Sequence, residues 1–142
     1  MNHDHYDDAY IRDILTATRT IALIGASPNP ARPSHGVLGY LTASGYETYP
    51  INPGIAGREL FGRKVYARLS DVPVAIDMVD VFRNSDAIGG VVDEILALPV
   101  LPKVMWLQLG IRNDAEAARL EEKGIRVVMD RCPAIERPRL IG

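Results

Sequence analysis

The run Thr20-Ile21-Ala22-Leu23-Ile24 carries no charge and stops abruptly at Gly25. A strand with one wet face alternates polar and apolar residues, whereas an unbroken apolar run of this length reads as a strand covered on both faces of a parallel sheet. Parallel neighbours cannot be joined by a tight turn, so each such strand demands a crossover, usually a helix. The rest of the chain supplies that alternation.

Before the run, Tyr6, Tyr10, Ile11, Ile14 and Leu15 recur at helical spacing between Tyr6 and Thr18, with Asp7 and Asp8 placed to suit the helix dipole. After it, the Gly-, Pro-, Ser- and Asn-rich stretch from Gly25 to Pro33 reads as a loop, with Ser34 as the expected N-cap of a helix carrying Val37, Leu38, Tyr40 and Leu41 up to Gly45. Glu47 to Ile51 is a second strand ending in Asn52-Pro53-Gly54. Gly57 to Val65 reads as a loop excursion with Phe61 or Val65 tucked under it, and Arg68 to Asp71 as a short helix. Three units follow: strand Ala75 to Val81 with helix Ser85 to Leu96, strand Lys103 to Leu107 with helix Asn113 to Glu122, and strand Ile125 to Met129 with a terminal segment beyond Cys132.

Strands joined by right-handed crossovers run parallel, which predicts a Rossmann-like α/β fold: a doubly wound parallel sheet of about five strands in three αβα layers. At 142 residues the chain is expected to be a single domain, its N-terminal helix at 6–18 and its core at 19–138, without repeats or linkers. A composition 47% hydrophobic and 24% charged suits a soluble protein with a proper core.

The formal charge of −2 gives no general attraction to nucleic acid or to an anionic membrane, so neither is an expected partner. An anionic ligand must be held by local arginines and oriented amides. No apolar run approaches a bilayer span, and Met1 to Asp8 lacks the basic and apolar regions of an export signal. His3 and His5 are expected in a mobile terminus. The lone Cys132 has no partner for an internal disulfide, which fits a cytoplasmic protein.

In a doubly wound sheet the ligand crevice lies outside the carboxyl ends of the strands. The residues there are Gly25-Ala26-Ser27, Asn52-Pro53, Phe82-Arg83, Gln108-Leu109-Gly110 and Asp130-Arg131-Cys132. A dinucleotide fingerprint would show G-x-G-x-x-G in the first loop and an acid after the second strand. The chain has a single glycine before a longer loop, and Asn52-Pro53 in place of the acid. What the loop offers is backbone amides near a helix N-terminus, the hydroxyls of Ser27 and Ser34, and the cation Arg32, which together suit a phosphate. Arg83 brings a second cation to the same edge, and Phe82 an apolar wall.

No catalytic residue and no metal ligand is assigned: there is no nucleophile elbow with a histidine partner, no zinc spacing and no Walker-type loop. Asp77 and Asp80 resemble a phospho-acceptor pair but lack the acidic cluster that a response regulator carries after its first strand. Trp106 is expected in the core. Cys132 reads either as a buried core thiol or as a redox-active one, since it precedes Pro133 at a helix start that favours thiolate.

Ile21 to Ser27 with Arg32-Pro33-Ser34, then Pro50-Ile51-Asn52-Pro53, Asp80-Val81-Phe82-Arg83, Trp106 to Ile111, and Met129-Asp130-Arg131-Cys132 resemble, in that order, the stand-alone bacterial CoA-binding protein family. The resemblance covers residues 17–138, and the family is similar to the N-terminal CoA-binding domain of the succinyl-CoA synthetase alpha subunit. It implies that Gly25, Ala26 and Ser27 contact the phosphates, supported by Arg32 and Ser34. Asn52 and Pro53 would lie along the nucleotide, with Val81, Phe82 and Arg83 flanking adenine or ribose and Gln108 and Gly110 lining the pantetheine channel.

The synthetase subunit also has a second domain with a phosphorylated histidine, which is not expected here. His35, in the phosphate loop, is read as a neighbour of the ligand. The implied function is binding of coenzyme A or a short acyl-CoA without chemistry of its own. The alternatives are an NAD(P)-linked oxidoreductase, or a regulatory or ligase-associated subunit with a redox-active Cys132.

Overall fold

The computed structural model describes residues 1–142. Its strands are β1 (Thr20–Ile24), β2 (Glu47–Ile51), β3 (Glu59–Leu60), β4 (Arg63–Lys64), β5 (Met78–Val81), β6 (Val104–Leu107) and β7 (Arg126–Val128). Its helices are α1 (Asp8–Ala17), α2 (Pro33–Ala43), α3 (Ile88–Leu96), α4 (Asp114–Glu121) and α5 (Pro133–Leu140). Five strands pair in parallel in the order β2-β1-β5-β6-β7, and β3 and β4 form a separate antiparallel hairpin. This is the Rossmann-like αβα arrangement that the alternation of apolar runs predicts.

Because successive side chains of a strand point to opposite faces, each apolar run feeds two cores. Ile21 and Leu23 join Met78, Val104, Trp106 and Val128 in the cluster that also holds the buried faces of α1 and α2. Ala22 and Ile24 join Val79, Val81, Met105, Leu107 and Val127 against α3 and α4. Trp106 is fully buried and its indole N–H donates to the Arg131 carbonyl at 2.9 Å, so the ring is a core element.

Several boundaries move, each for a local reason. The first helix begins at Asp8, after an extended Asp7 at its N-cap; Tyr6 lies outside it yet is buried. Ser34 is not the cap of α2. Arg32 is, and Pro33 occupies the first turn, where its fixed φ and missing N–H cost nothing. The strand expected from Ala75 starts only at Met78, because Asp77 turns its carboxylate onto the N–H groups of Arg19 and Thr20. Ser85–Ala87 is a 3₁₀ turn ahead of α3, and the excursion after Gly57 is the β3–β4 hairpin. Under that hairpin Val65 is fully buried, whereas Phe61 is 47% exposed.

The N-terminus is not loose around His3. Met129 N–H donates to the Tyr6 hydroxyl at 2.9 Å, which donates in turn to His3 Nδ1 at 2.6 Å, while His3 Nε2–H donates to Glu121 at 3.0 Å. His3 is buried; His5 is exposed. No helix is long and apolar enough to cross a membrane.

From β1 the chain moves outward to β2, then returns past β1 to β5 and continues to β6 and β7. The strand order therefore reverses between β1 and β5, and a crevice opens where their following loops diverge.

Candidate functional site

The crevice at the β1/β5 switch point is a cleft of about 600 Å³. The loop after β1 gives Gly25, Ala26 and Ser27, with Arg32, Pro33 and Ser34 at the start of α2; Asn52 comes from the end of β2. Phe82, Arg83 and Asn84 follow β5, and Gln108, Leu109, Gly110 and Ile111 follow β6. Residues from four separate loops thus converge on one opening.

The first loop owes its shape to Gly25, which has φ 92 and so occupies a region that side chains disfavour. Gly25 and Ala26 N–H both bond the Ile51 carbonyl, at 3.1 and 3.2 Å, which ties the loop to the end of β2. Ser27 Oγ accepts from Asn29 N–H at 3.1 Å and Asn29 Oδ1 from Ala31 N–H at 3.0 Å, so short polar side chains build the turn locally. His35 Nδ1–H donates to the Ser27 carbonyl at 2.9 Å.

Asn52 is spent on the backbone. Its Nδ2 donates to the Ala26 carbonyl at 2.8 Å and its Oδ1 accepts from Gly54 N–H at 2.8 Å. It therefore braces the first loop against the second, and stands where a dinucleotide-binding fold would place an acid on the ribose.

The electrostatics of the opening come from groups without partners. The backbone N–H groups of Ser27, Ser34, Arg83, Asn84 and Leu109 donate to no protein acceptor, and all five residues line the cleft. Arg32 and Arg83 are exposed and make neither an ion pair nor a side-chain hydrogen bond; every ion pair in the chain uses other residues. Unpaired amides and guanidinium groups around one concave opening have the chemistry that suits an anion.

Deeper in, Gln108 is only 8% exposed and its Oε1 is buried without a donor. Asp80, which precedes Val81 on β5, is fully buried, with neither carboxyl oxygen hydrogen-bonded. Burial alone pushes its carboxyl up to about 8, so it is protonated through most of the neutral range.

Three expected positions fall outside the cleft. Val81 is fully buried in the α3/α4 core and gives the region only its backbone, because the strand's alternation turns its side chain away from Phe82. Pro53 lines an adjoining cavity of about 170 Å³ that shares Gly25, Asn52 and Arg83 with the cleft. Cys132 is 6% exposed and packed in the α1/α2 core, so its thiol does not open onto the cleft.

Sequence reading missed Arg68, which lines the adjoining cavity, and the free amides of Asn84 and Leu109. Their position after β5 and β6 was the available signal; that their N–H groups stay unpaired has no signature in residue type.

Residues 19–138 match the family model described as CoA binding domain. The YneT protein of Bacillus subtilis strain 168 is 39% identical over 124 residues, which are 87% of this chain and 89% of YneT. The structure of cell-free ID.343 from Thermus thermophilus superposes with a TM-score of 0.89 at 42% identity, covering 96% of this chain and 100% of that one. Acetyl-coenzyme A synthetase 1 from Ca. Korarchaeum cryptofilum, in complex with phosphate and ADP, gives a TM-score of 0.64 at 27% identity. There the similarity covers 82% of this chain and 27% of the synthetase, so it concerns one part of a larger protein. With nearly its whole core matched, the chain belongs to the CoA binding domain family.

Proposed function

We propose that this protein binds coenzyme A or a short acyl-CoA at the carboxyl ends of β1, β5 and β6, without chemistry of its own. The observation that carries the reading is the set of unpaired N–H groups at Ser27, Ser34, Arg83, Asn84 and Leu109, on residues that line the cleft together with the unpaired Arg32 and Arg83. A ligand rich in acceptor oxygens, such as a pyrophosphate, suits this opening.

Coenzyme A also brings a flexible arm with two amides, which in this reading shares the same cleft. In this reading Gly25, Ala26 and Ser27 meet the pyrophosphate, Arg32 and Arg83 neutralise it, and Ser34 adds the N–H of the α2 N-terminus. Phe82 is the apolar wall. The buried Oε1 of Gln108 accepts an amide N–H of the pantetheine arm, which runs past Gly110. Pro53 and Arg68 border the nucleotide end in the adjoining cavity.

A nicotinamide dinucleotide fits less well, because Asn52 already has both ends of its amide bound to backbone and offers no carboxylate to a ribose. The test is denaturant unfolding with and without CoA, with NAD and ADP alongside. A ligand that binds only the folded state adds ~2.7 kcal/mol at a hundred times its Kd. No stabilisation at millimolar CoA, or stabilisation by NAD alone, overturns the reading.

A further inference from the structure

The β3–β4 hairpin contributes no residue to the cleft, yet it reaches the phosphate loop through a pair of rings. Phe61, at the hairpin turn, has φ 52, a left-handed conformation that is costly for a bulky side chain. Phe61 is 47% exposed, so core burial does not account for the strain. What the conformation achieves is contact with α2. The ring fills the space over Gly39, where a Cβ would come within 2.8 Å of Phe61 Cε1 and Cζ. Its centroid stands 4.8 Å from that of His35, tilted by 49°.

His35 lies one helical turn before Gly39 on the same face of α2. A carbonyl can only accept, so the 2.9 Å contact with the Ser27 carbonyl places the proton on His35 Nδ1 and fixes the ring's tautomer. The residue so held is Ser27, which lines the cleft, whose N–H has no protein acceptor and whose Oγ organises the turn to Asn29.

We infer that Phe61 and His35 are positioning residues for the anion site: the hairpin ring holds the imidazole, and the imidazole holds Ser27 in the orientation that receives a phosphate. Neither residue lines the cleft. The inference rests on the CoA reading for its ligand, but the clamp itself belongs to the free protein.

Two substitutions disturb the ring from opposite sides. Phe61→Gly removes it and relieves the positive φ, while Gly39→Ala displaces it; Gly36→Ala, where a Cβ meets nothing within 4 Å, controls for helix propensity. The readouts are CoA titration by calorimetry, thermal unfolding, and amide hydrogen exchange at Asn29 and Ala31 in the free protein. Phe61→Gly is expected to hold or raise the unfolding midpoint while weakening CoA about tenfold, on the scale of one lost charge-assisted contact. Gly39→Ala should weaken CoA in the wild-type background and do nothing further in Phe61→Gly, a non-additivity that a general loss of stability would not produce.

Exchange at Asn29 and Ala31 should quicken in Phe61→Gly and Gly39→Ala but not in Gly36→Ala. If wild-type protein fails to bind CoA while exchange still quickens, the ligand assignment falls and the clamp stands. If exchange is unchanged in both ring variants, or their effects on CoA affinity simply add, the clamp is overturned.

Discussion

Gly25 and Phe82 approach so closely that a Cβ on residue 25 would lie 2.6 Å from the Phe82 carbonyl oxygen. The Phe82 N–H bonds the Ile24 carbonyl at 2.9 Å, so the loops after β1 and β5 start out in register before they part. The cleft is therefore bounded by two backbones in contact, and a glycine at residue 25 permits both that contact and the turn that leaves it.

Gly25→Ala meets both obstacles at once, a positive φ and a backbone atom that cannot swing aside. The expected loss is on the order of 3 kcal/mol in urea unfolding. Protein that remains folded in the cold should have lost CoA binding, since the loop must open to admit the methyl group.

Arg32→Ala and Arg83→Ala should separate binding from folding. Both side chains are exposed and unpaired, so unfolding free energies should stay within about 0.5 kcal/mol of wild type. Calorimetric CoA affinity should fall about tenfold for each, with a smaller effect at high salt, where the phosphates are screened.

Asp80 makes stability depend on pH. Its carboxyl rises from 3.8 to about 8 on folding, so between those values the folded state holds a proton that the unfolded state has released. Stability from this group is then greatest below the unfolded value and declines as pH climbs toward 8, by at most about 1.4 kcal/mol per pH unit. Asp80→Asn should flatten that decline in unfolding series from pH 5 to 8 (about the window the shift defines) and raise stability at the alkaline end.

Asn52→Ala removes the hydrogen bond that ties the second loop to the first and the one that shapes the second loop at Gly54. A stability loss of about 1–2 kcal/mol and weaker CoA binding should follow. Asn52→Asp keeps the acceptor for Gly54 but points a carboxylate oxygen at the Ala26 carbonyl. It should bind CoA less well and gain no affinity for NAD in fluorescence titration, because the position serves the backbone.

Much of the cleft lining was legible because a parallel sheet opens its crevice at fixed places. Gly25, Ser27, Arg32, Phe82, Arg83 and Gln108 follow their strands directly or open the next helix, and all line the cleft. Val81 stands outside the cleft because it is one residue inside the strand, where alternation sends it to the other face. Ser34 misled as a cap because Pro33 beside it starts the helix more readily. His3 read as part of a loose end because its partners, Tyr6 and Glu121, include one distant in the chain.

The sequence by itself determined the number and direction of the main strands, the helices between them and the edge at which the cleft opens, since apolar periodicity and the demands of parallel crossovers are local. Only the tertiary structure decided that β5 lies beside β1, that Asn52 is spent on backbone, that Phe61 stays outside while Val65 goes in, and which amides remain free. Those outcomes depend on pairing and packing between residues far apart in the chain, where residue type sets what a group can donate or accept and only the neighbours that folding brings determine whether it does.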